Sequence, residues 1–246
     1  MPRPERACSG YLVRAAGTRI ALDFGTGALA RLVAGGPPDR LDAIVVSHMH
    51  ADHMLDLVPL RYALVYGERS RDERLRIYLP PDGPRVLGAL AAALGSAEEG
   101  PFFDDVFEIA TYDPNEPLQI GSLGLRFAQT AHFIPTFAIR CDQENASLTY
   151  SADTAPCDAL VALARDTNLF LCEATLTRDE EAHVPRGHSS AREAGAMAQA
   201  ASAKSLALTH YPAARNPATL AAEAAETYPG PITIVDDGRR LEVSNS

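Results

Sequence analysis

The chain has few cysteines, no long apolar run and little positive charge, and each shortage closes off a class of protein. Its four cysteines, Cys8, Cys141, Cys157 and Cys172, include no C-x-x-C pair. That excludes a zinc ribbon and a dithiol redox motif and reads as buried, reduced thiols in a reducing compartment. No stretch approaches the ~18 apolar residues of a membrane span. No apolar segment follows Met1-Pro2-Arg3-Pro4-Glu5-Arg6, so no secretory signal is read and the expected location is the cytoplasm. Lys and Arg number 22 against 32 Asp and Glu, a net charge of −10. A chain that grips long nucleic acid through its phosphates carries a basic face. The balance therefore favours a small substrate. It does not exclude RNA, because bound divalent cations reverse the sign locally.

Internal repeats, low-complexity tracts and linkers are also absent. The Gly- and Pro-rich stretches at 35–38 and 80–84 are only loop-sized. A hydrophobic fraction of 46% supplies a sizeable core without disulfides, and residues 1–246 read as one domain.

Two periodicities alternate along that domain. Apolar, β-rich runs bounded by Gly, Pro, Asp and Asn predict strands at 10–14, 20–24, 43–46, 75–79, 106–111, 123–129, 137–141, 148–151, 169–172, 206–209 and 232–235. Helices are expected at 28–34, 54–66, 84–94, 155–165, 191–201 and 217–227. Ser190-Ala191-Arg192-Glu193 has the form of a capping box, and Asn216-Pro217 that of an N-cap followed by a first-turn proline. Strands clustered early with helices interspersed suggest two mixed sheets with helices outside.

The strongest chemical signal follows the run Ala43-Ile44-Val45-Val46. There, His48-Met49-His50-Ala51-Asp52-His53 packs three histidines and an aspartate into six residues. A polar surface loop has no use for that density of imidazole. Imidazole and carboxylate are donors that zinc accepts, at ~2.0–2.2 Å.

H-x-H-x-D-H resembles the signature of the metallo-β-lactamase superfamily, and the resemblance runs over nearly the whole chain. It implies a four-layer αββα sandwich with a dinuclear site at one edge, between the sheets. It further implies that His48, His50 and His132 hold one metal and Asp52, His53 and His210 the other, with Asp153 bridging. The three later ligands each follow an expected strand, in Thr130-Ala131-His132, Ser151-Ala152-Asp153 and Thr209-His210. Five of the seven histidines thus fall on ligand positions. Asp23, in Leu22-Asp23-Phe24-Gly25, is implied to stand behind a ligand histidine and fix its tautomer. The same segment also reads as a turn. Zinc is the expected ion for both sites, and manganese or iron suits the same donors. Two such ions lower the pKa of a bridging water, giving a hydroxide nucleophile at neutral pH.

Two further segments, Leu171-Cys172-Glu173-Ala174-Thr175 and Gly187-His188-Ser189, are similar to the ribonuclease Z branch and its small cyclic phosphodiesterase relatives. By that resemblance His188 protonates the leaving oxygen, Glu173 orients His188, and Asp52 joins them among the candidate catalytic residues. His183 has no expected role and reads as surface. The branch's tRNA-binding members carry a Gly/Pro-rich arm, but only twenty residues separate His132 from Asp153, enough for two strands and a turn. The branch also places a strand before Cys8-Ser9-Gly10-Tyr11, where little chain is given. The expected activity is hydrolysis of a small or cyclic phosphodiester, with a homodimer allowed. The alternatives are a ribonuclease on tRNA precursors, a lactonase or thioesterase of the same fold, and a non-catalytic nucleic-acid-binding protein.

Overall fold

The computed structural model describes residues 6–36, 40–67, 73–95 and 102–244. The first sheet opens with β1 (Tyr11–Ala15) and β2 (Thr18–Leu22), joined at Ala16-Gly17, which lie at φ 44° and 86°. Two central residues with positive φ make the primed turn whose twist matches a hairpin. β3 (Ala43–Val45), β4 (Leu75–Leu79) and β5 (Phe107–Thr111) extend the sheet in parallel, in the order β1-β2-β3-β4-β5.

The second sheet begins with β6 (Leu118–Ile120), β7 (Leu123–Gln129), β8 (Phe137–Gln143) and β9 (Ala146–Tyr150), an antiparallel meander. It continues in parallel through β10 (Leu169–Glu173), β11 (Leu206–Thr209) and β12 (Ile232–Ile234). Over the first sheet lie α1 (Ala28–Val33), α2 (Ala51–Met54), α3 (Leu57–Tyr66) and α4 (Gly83–Leu94). Over the second lie α5 (Asp158–Leu163), α6 (Ala191–Ala200) and α7 (Pro217–Ala225).

Side chains alternate across each strand, and this creates the layers. On β3, Ala43 and Val45 face the other sheet, while Ile44 faces the helices. On β10, Leu169 and Leu171 point inward between the sheets, and Phe170 and Cys172 pack under α6. Strands covered on both faces read as unbroken apolar runs, which explains their legibility in the sequence. Three apolar cores result among the described residues, one between the sheets and one under each helical layer. This is the expected αββα arrangement of two mixed sheets flanked by helices.

The expected elements need several corrections. The helix expected at 54–66 begins only at Leu57, as α3, because α2 ends at Met54 and Asp56 turns the chain: its N–H donates to the Phe24 carbonyl and its Oδ2 accepts from Leu29 N at 2.8 Å. The helix expected at 155–165 is confined to α5. β6 was not foreseen, since three residues show too little alternation. Both helix starts are as read: Ser190 Oγ accepts from Glu193 N, Glu193 accepts from Ser190 N, and Asn216 Oδ1 accepts from Ala218 N. His183 is exposed. All four cysteines are free, but only Cys141 and Cys172 are buried, and Cys8 and Cys157 are partly exposed. Among the described residues no helix is long and apolar enough to cross a membrane.

Candidate metal centre

β2, β3, β7, β9, β10 and β11 all end at the same rim of the sandwich, so residues distant in sequence converge there. Asp23 follows β2, and His48, His50, Asp52 and His53 run from β3 into α2. His132 and Asp153 follow β7 and β9, Glu173 closes β10, and His210 follows β11. The backbone is forced at three of these turns. Asp23, Ala152 and His210 are three of the seven non-glycine residues with positive φ among those described, at 59°, 51° and 50°. Such backbone costs roughly 1–3 kcal/mol per residue and persists only where surroundings over-determine it. Here it turns the chain sharply at a strand end and aims a carboxylate or imidazole across the rim.

Donor atoms gather in the two groups expected. Ligand atoms of His48, His50, His132 and Asp153 all lie within 4.8 Å of one another, and so do those of Asp52, His53 and His210. Asp153 spans both groups: its Oδ1 is 3.3 Å from His53 Nε2 and its Oδ2 is 3.8 Å from His48 Nε2. His50 Nδ1 and His132 Nε2 face each other at 3.1 Å. Ligands at the usual zinc–nitrogen distance round a tetrahedral ion stand about 3.3 Å apart.

Hydrogen bonds at the outer nitrogens orient the rings. His53 Nδ1 donates to Asp23 Oδ2 at 2.7 Å. Ser47 Oγ donates to the same carboxylate oxygen at 2.8 Å and is therefore the acceptor for His48 Nδ1 at 3.0 Å. The Gly187 carbonyl accepts from His132 Nδ1 at 2.7 Å. Thr175 Oγ1 donates to the His210 carbonyl and accepts from His210 Nδ1 at 3.0 Å. In each of these four rings Nδ1 carries a proton and Nε2 faces the cluster. His48 Nε2, His53 Nε2 and Asp153 Oδ1 are buried without a hydrogen-bond partner. Buried polar atoms left unpaired are costly, and a cation among them satisfies all three. The residues present fit divalent metal ions.

Charge gives the same answer. Burial and neighbouring imidazoles push His48 well below its ordinary pKa, and burial lowers His50 and His132 too, so these rings are neutral ligands. Burial opposes charge on His53, but Asp153 and Asp23 outweigh it and raise its pKa well above the ordinary value. Asp153 is held far down by His53 and His210 despite its burial, and the His210 contact keeps Asp52 ionised. The buried carboxylates thus demand positive charge from whatever is nearest, and a bound cation would take the place of the proton on His53.

Beyond the two groups, Glu173 and His188 meet as expected. His188 Nδ1 lies 2.9 Å from Glu173 Oε1, and Glu173 is fully buried, accepting also from the backbone N–H groups of Thr154 and Thr175. Ser189 Oγ donates to the Thr154 carbonyl, and Arg186 forks onto Glu193, so the chain is pinned on both sides of His188. His188 also lies close enough to Asp153 and His210 to share a ligand cluster with them.

Several participants carried no readable signal. Tyr150 donates to Asp23 Oδ2 at 2.8 Å across 127 positions. Gly25 lets its loop run against the metal segment: a Cβ there would sit 1.8 Å from the Asp52 carbonyl oxygen. Ser47, Thr175 and Gly187 adjoin expected site residues and could have been suspected only for that reason.

Comparison with known proteins decides the family. A model described as the beta-lactamase superfamily domain matches residues 18–211. The chain belongs to the metallo-β-lactamase superfamily. An uncharacterized protein of Mycobacterium tuberculosis, Rv1339, is 35% identical over 98% of this chain and 87% of its own length. The probable metallo-hydrolase YhfI of Bacillus subtilis is 28% identical over 96% of this chain and 93% of its own. YhfI's crystal structure matches this one with a TM-score of 0.85, covering 98% of this chain and 94% of that one at 26% identity. A ribonuclease Z of Myxococcus xanthus is 28% identical over 98% of this chain and 94% of its own length. Within the superfamily this chain is a metallo-hydrolase, close to the ribonuclease Z-like branch, with a His/Asp cluster suited to divalent metal.

The dense bonding of Asp23 yields a prediction. Asp23→Asn keeps the shape but turns an NH₂ toward donors or removes an acceptor from His53, Ser47 or Tyr150. Metal affinity is expected to fall roughly 10- to 100-fold, read by competition with a chromogenic chelator. Unchanged affinity would show that the rings hold their tautomers without it.

Proposed function

We propose that this metallo-hydrolase is a phosphodiesterase, cleaving a small or cyclic phosphodiester at a centre of two divalent ions, with zinc the expected metal. The observation that carries the reading is the Glu173–His188 pair beside the ligand cluster. Ester, thioester and lactone cleavage has less need of a separate proton donor than loss of an alkoxide from phosphorus.

In this reading His48, His50 and His132 hold one ion, Asp52, His53 and His210 the other, and Asp153 both. When bound, the pair of ions supplies an acidified water and neutralises charge on the phosphate oxygens. The protein supplies the rest. Asp23 and its partners keep the ligand rings oriented. His188 lies at the edge of the cluster, one fifth of its side chain open to solvent. Burial disfavours its charged form, but the hydrogen bond and charge of Glu173 prevail and raise its pKa. His188 therefore carries a proton to higher pH than a free imidazole does, as a donor to a departing oxygen requires.

The segment between His132 and Asp153 holds β8 and β9, closed by a turn at Glu144-Asn145, and offers no arm with which to grip folded RNA. Turnover should be measured with one zinc- or manganese-loaded preparation, on cyclic nucleotides, linear diesters, lactones, thioesters and a precursor tRNA. The expected result is a kcat/KM on small phosphodiesters well above that on the other classes near physiological salt. Efficient, position-specific cleavage of the precursor tRNA would replace this reading with a ribonuclease. Preference for a lactone or thioester would replace it with that class.

A further inference from the structure

The described residues expose seven large hydrophobic side chains, and one of them stands at the rim of the metal cluster. Phe133, directly after His132, is 61% exposed. Its ring centroid lies 5.3 Å from that of His132 and 6.2 Å from that of His188. None of the other six is in ring contact with the site.

The ring is not loose. It sits on a short loop between β7 and β8 that is tied at several points. Thr130 N donates to the Thr136 carbonyl, Thr136 Oγ1 to the Ile134 carbonyl, and Thr130 Oγ1 to the Asp153 carbonyl. Ala131 exchanges bonds with Thr154 and Ala155. One side of the ring is pressed on Gly187, where a Cβ would stand only 2.8 Å from its Cδ2 and Cε2 atoms. Gly187 thus serves two neighbours, taking the His132 proton on its carbonyl and giving the Phe133 ring room.

We propose that Phe133 is a stacking platform for a nucleobase carried on the leaving side of the substrate. The inference rests on the phosphodiesterase reading for the direction of the substrate: the group that leaves takes its proton from His188, so it lies on the side of the cluster where Phe133 stands. An aromatic face binds any planar base, and an acidic chain gains that affinity without adding positive charge. The platform separates base-bearing diesters from simple alkyl diesters, which bring nothing to lie against the ring. Phe133 is a specificity residue, and the chemistry at phosphorus proceeds without it.

Two arms test this. The chain contains no tryptophan, so Phe133→Trp places a single indole at the platform as its own reporter. A nucleoside 5′-monophosphate is expected to quench its fluorescence saturably, and ribose 5-phosphate to leave it unchanged. No quenching, or an equal response to both, overturns the proposal. The second arm compares a nucleoside cyclic phosphate with the same cyclic ribose phosphate bearing hydrogen in place of the base. Phe133→Ala is expected to reduce the preference for the base-bearing diester roughly 5- to 150-fold, the worth of stacking one base, chiefly through KM, with Phe133→Trp restoring it. An unchanged preference overturns the platform. If the wild-type chain turns over neither diester, the phosphodiesterase reading fails, and the fluorescence arm still decides the platform.

Discussion

Asp153→Ala is expected to empty both halves of the centre at once. Asp153 reaches toward His48 and His132 with one oxygen and toward His53 with the other. In the proposed centre its removal would take a donor from each of the two ions. Bound metal should fall from about two ions per chain to below one, and turnover should drop by more than the roughly 10- to 100-fold that loss of an outer partner costs. Substituting a residue that serves one ion alone, as His50→Ala does, is expected to leave more metal behind. Elemental analysis of protein purified without chelator, with activity after zinc or manganese is restored, separates these outcomes. A variant that retains two ions at ordinary affinity would show that Asp153 does not bridge. The substitution also relieves a buried negative charge, so a folded variant with a normal circular dichroism spectrum is expected and keeps the comparison clean.

His188→Ala is expected to act on a different step. Metal content should be unchanged, and turnover of an alkyl phosphodiester should fall about 10²- to 10⁴-fold, the usual contribution of a positioned acid. The loss should shrink for diesters that expel an acidic phenol, which departs without a proton. Glu173→Gln should show the same leaving-group dependence more weakly, because a neutral amide holds the ring but no longer supports its charge. Equal losses for good and poor leaving groups would assign His188 to positioning substrate instead of donating a proton.

Legibility in the sequence depended on how local each feature is. Ala43-Ile44-Val45-Val46 could be read as a strand because both faces are buried and nothing interrupts the apolar run. The metal segment could be read because four donors adjoin in the chain. His132, Asp153 and His210 were legible only through resemblance and order: nothing in Thr209-His210 by itself distinguishes a ligand from a loop residue. Of the partners of the ligands only Asp23 was legible, again through resemblance. Tyr150 meets Asp23 only after the two sheets have closed, and Thr175 becomes the support of His210 only because β10 and β11 pair in parallel. Phe133 carries no signal in the sequence for a related reason. Its significance lies in remaining exposed beside two imidazoles, and exposure is a property of the packed molecule. The error at 54–66 arose where Phe24 and Leu29, distant in sequence, bind Asp56 and break an otherwise continuous apolar period.

The origin of the donors has a consequence for how the centre comes into being. Asp23, His48, His50, Asp52 and His53 belong to the first sheet, while His132, Asp153 and His210 belong to the second. In the proposed centre each ion would draw its donors from both sheets, so neither half of the chain would hold a complete coordination sphere by itself. Metal acquisition would then be a late event, after the two sheets have met. Ions held in this way would act as rivets across the seam between the two sheets, beside the core that the sheets share. By mass action each occupied site would favour the closed sandwich by about 2.7 kcal/mol at a free concentration a hundredfold above its dissociation constant. On the proposed reading, the supply of divalent metal would set how long this protein stays whole as well as how fast it works.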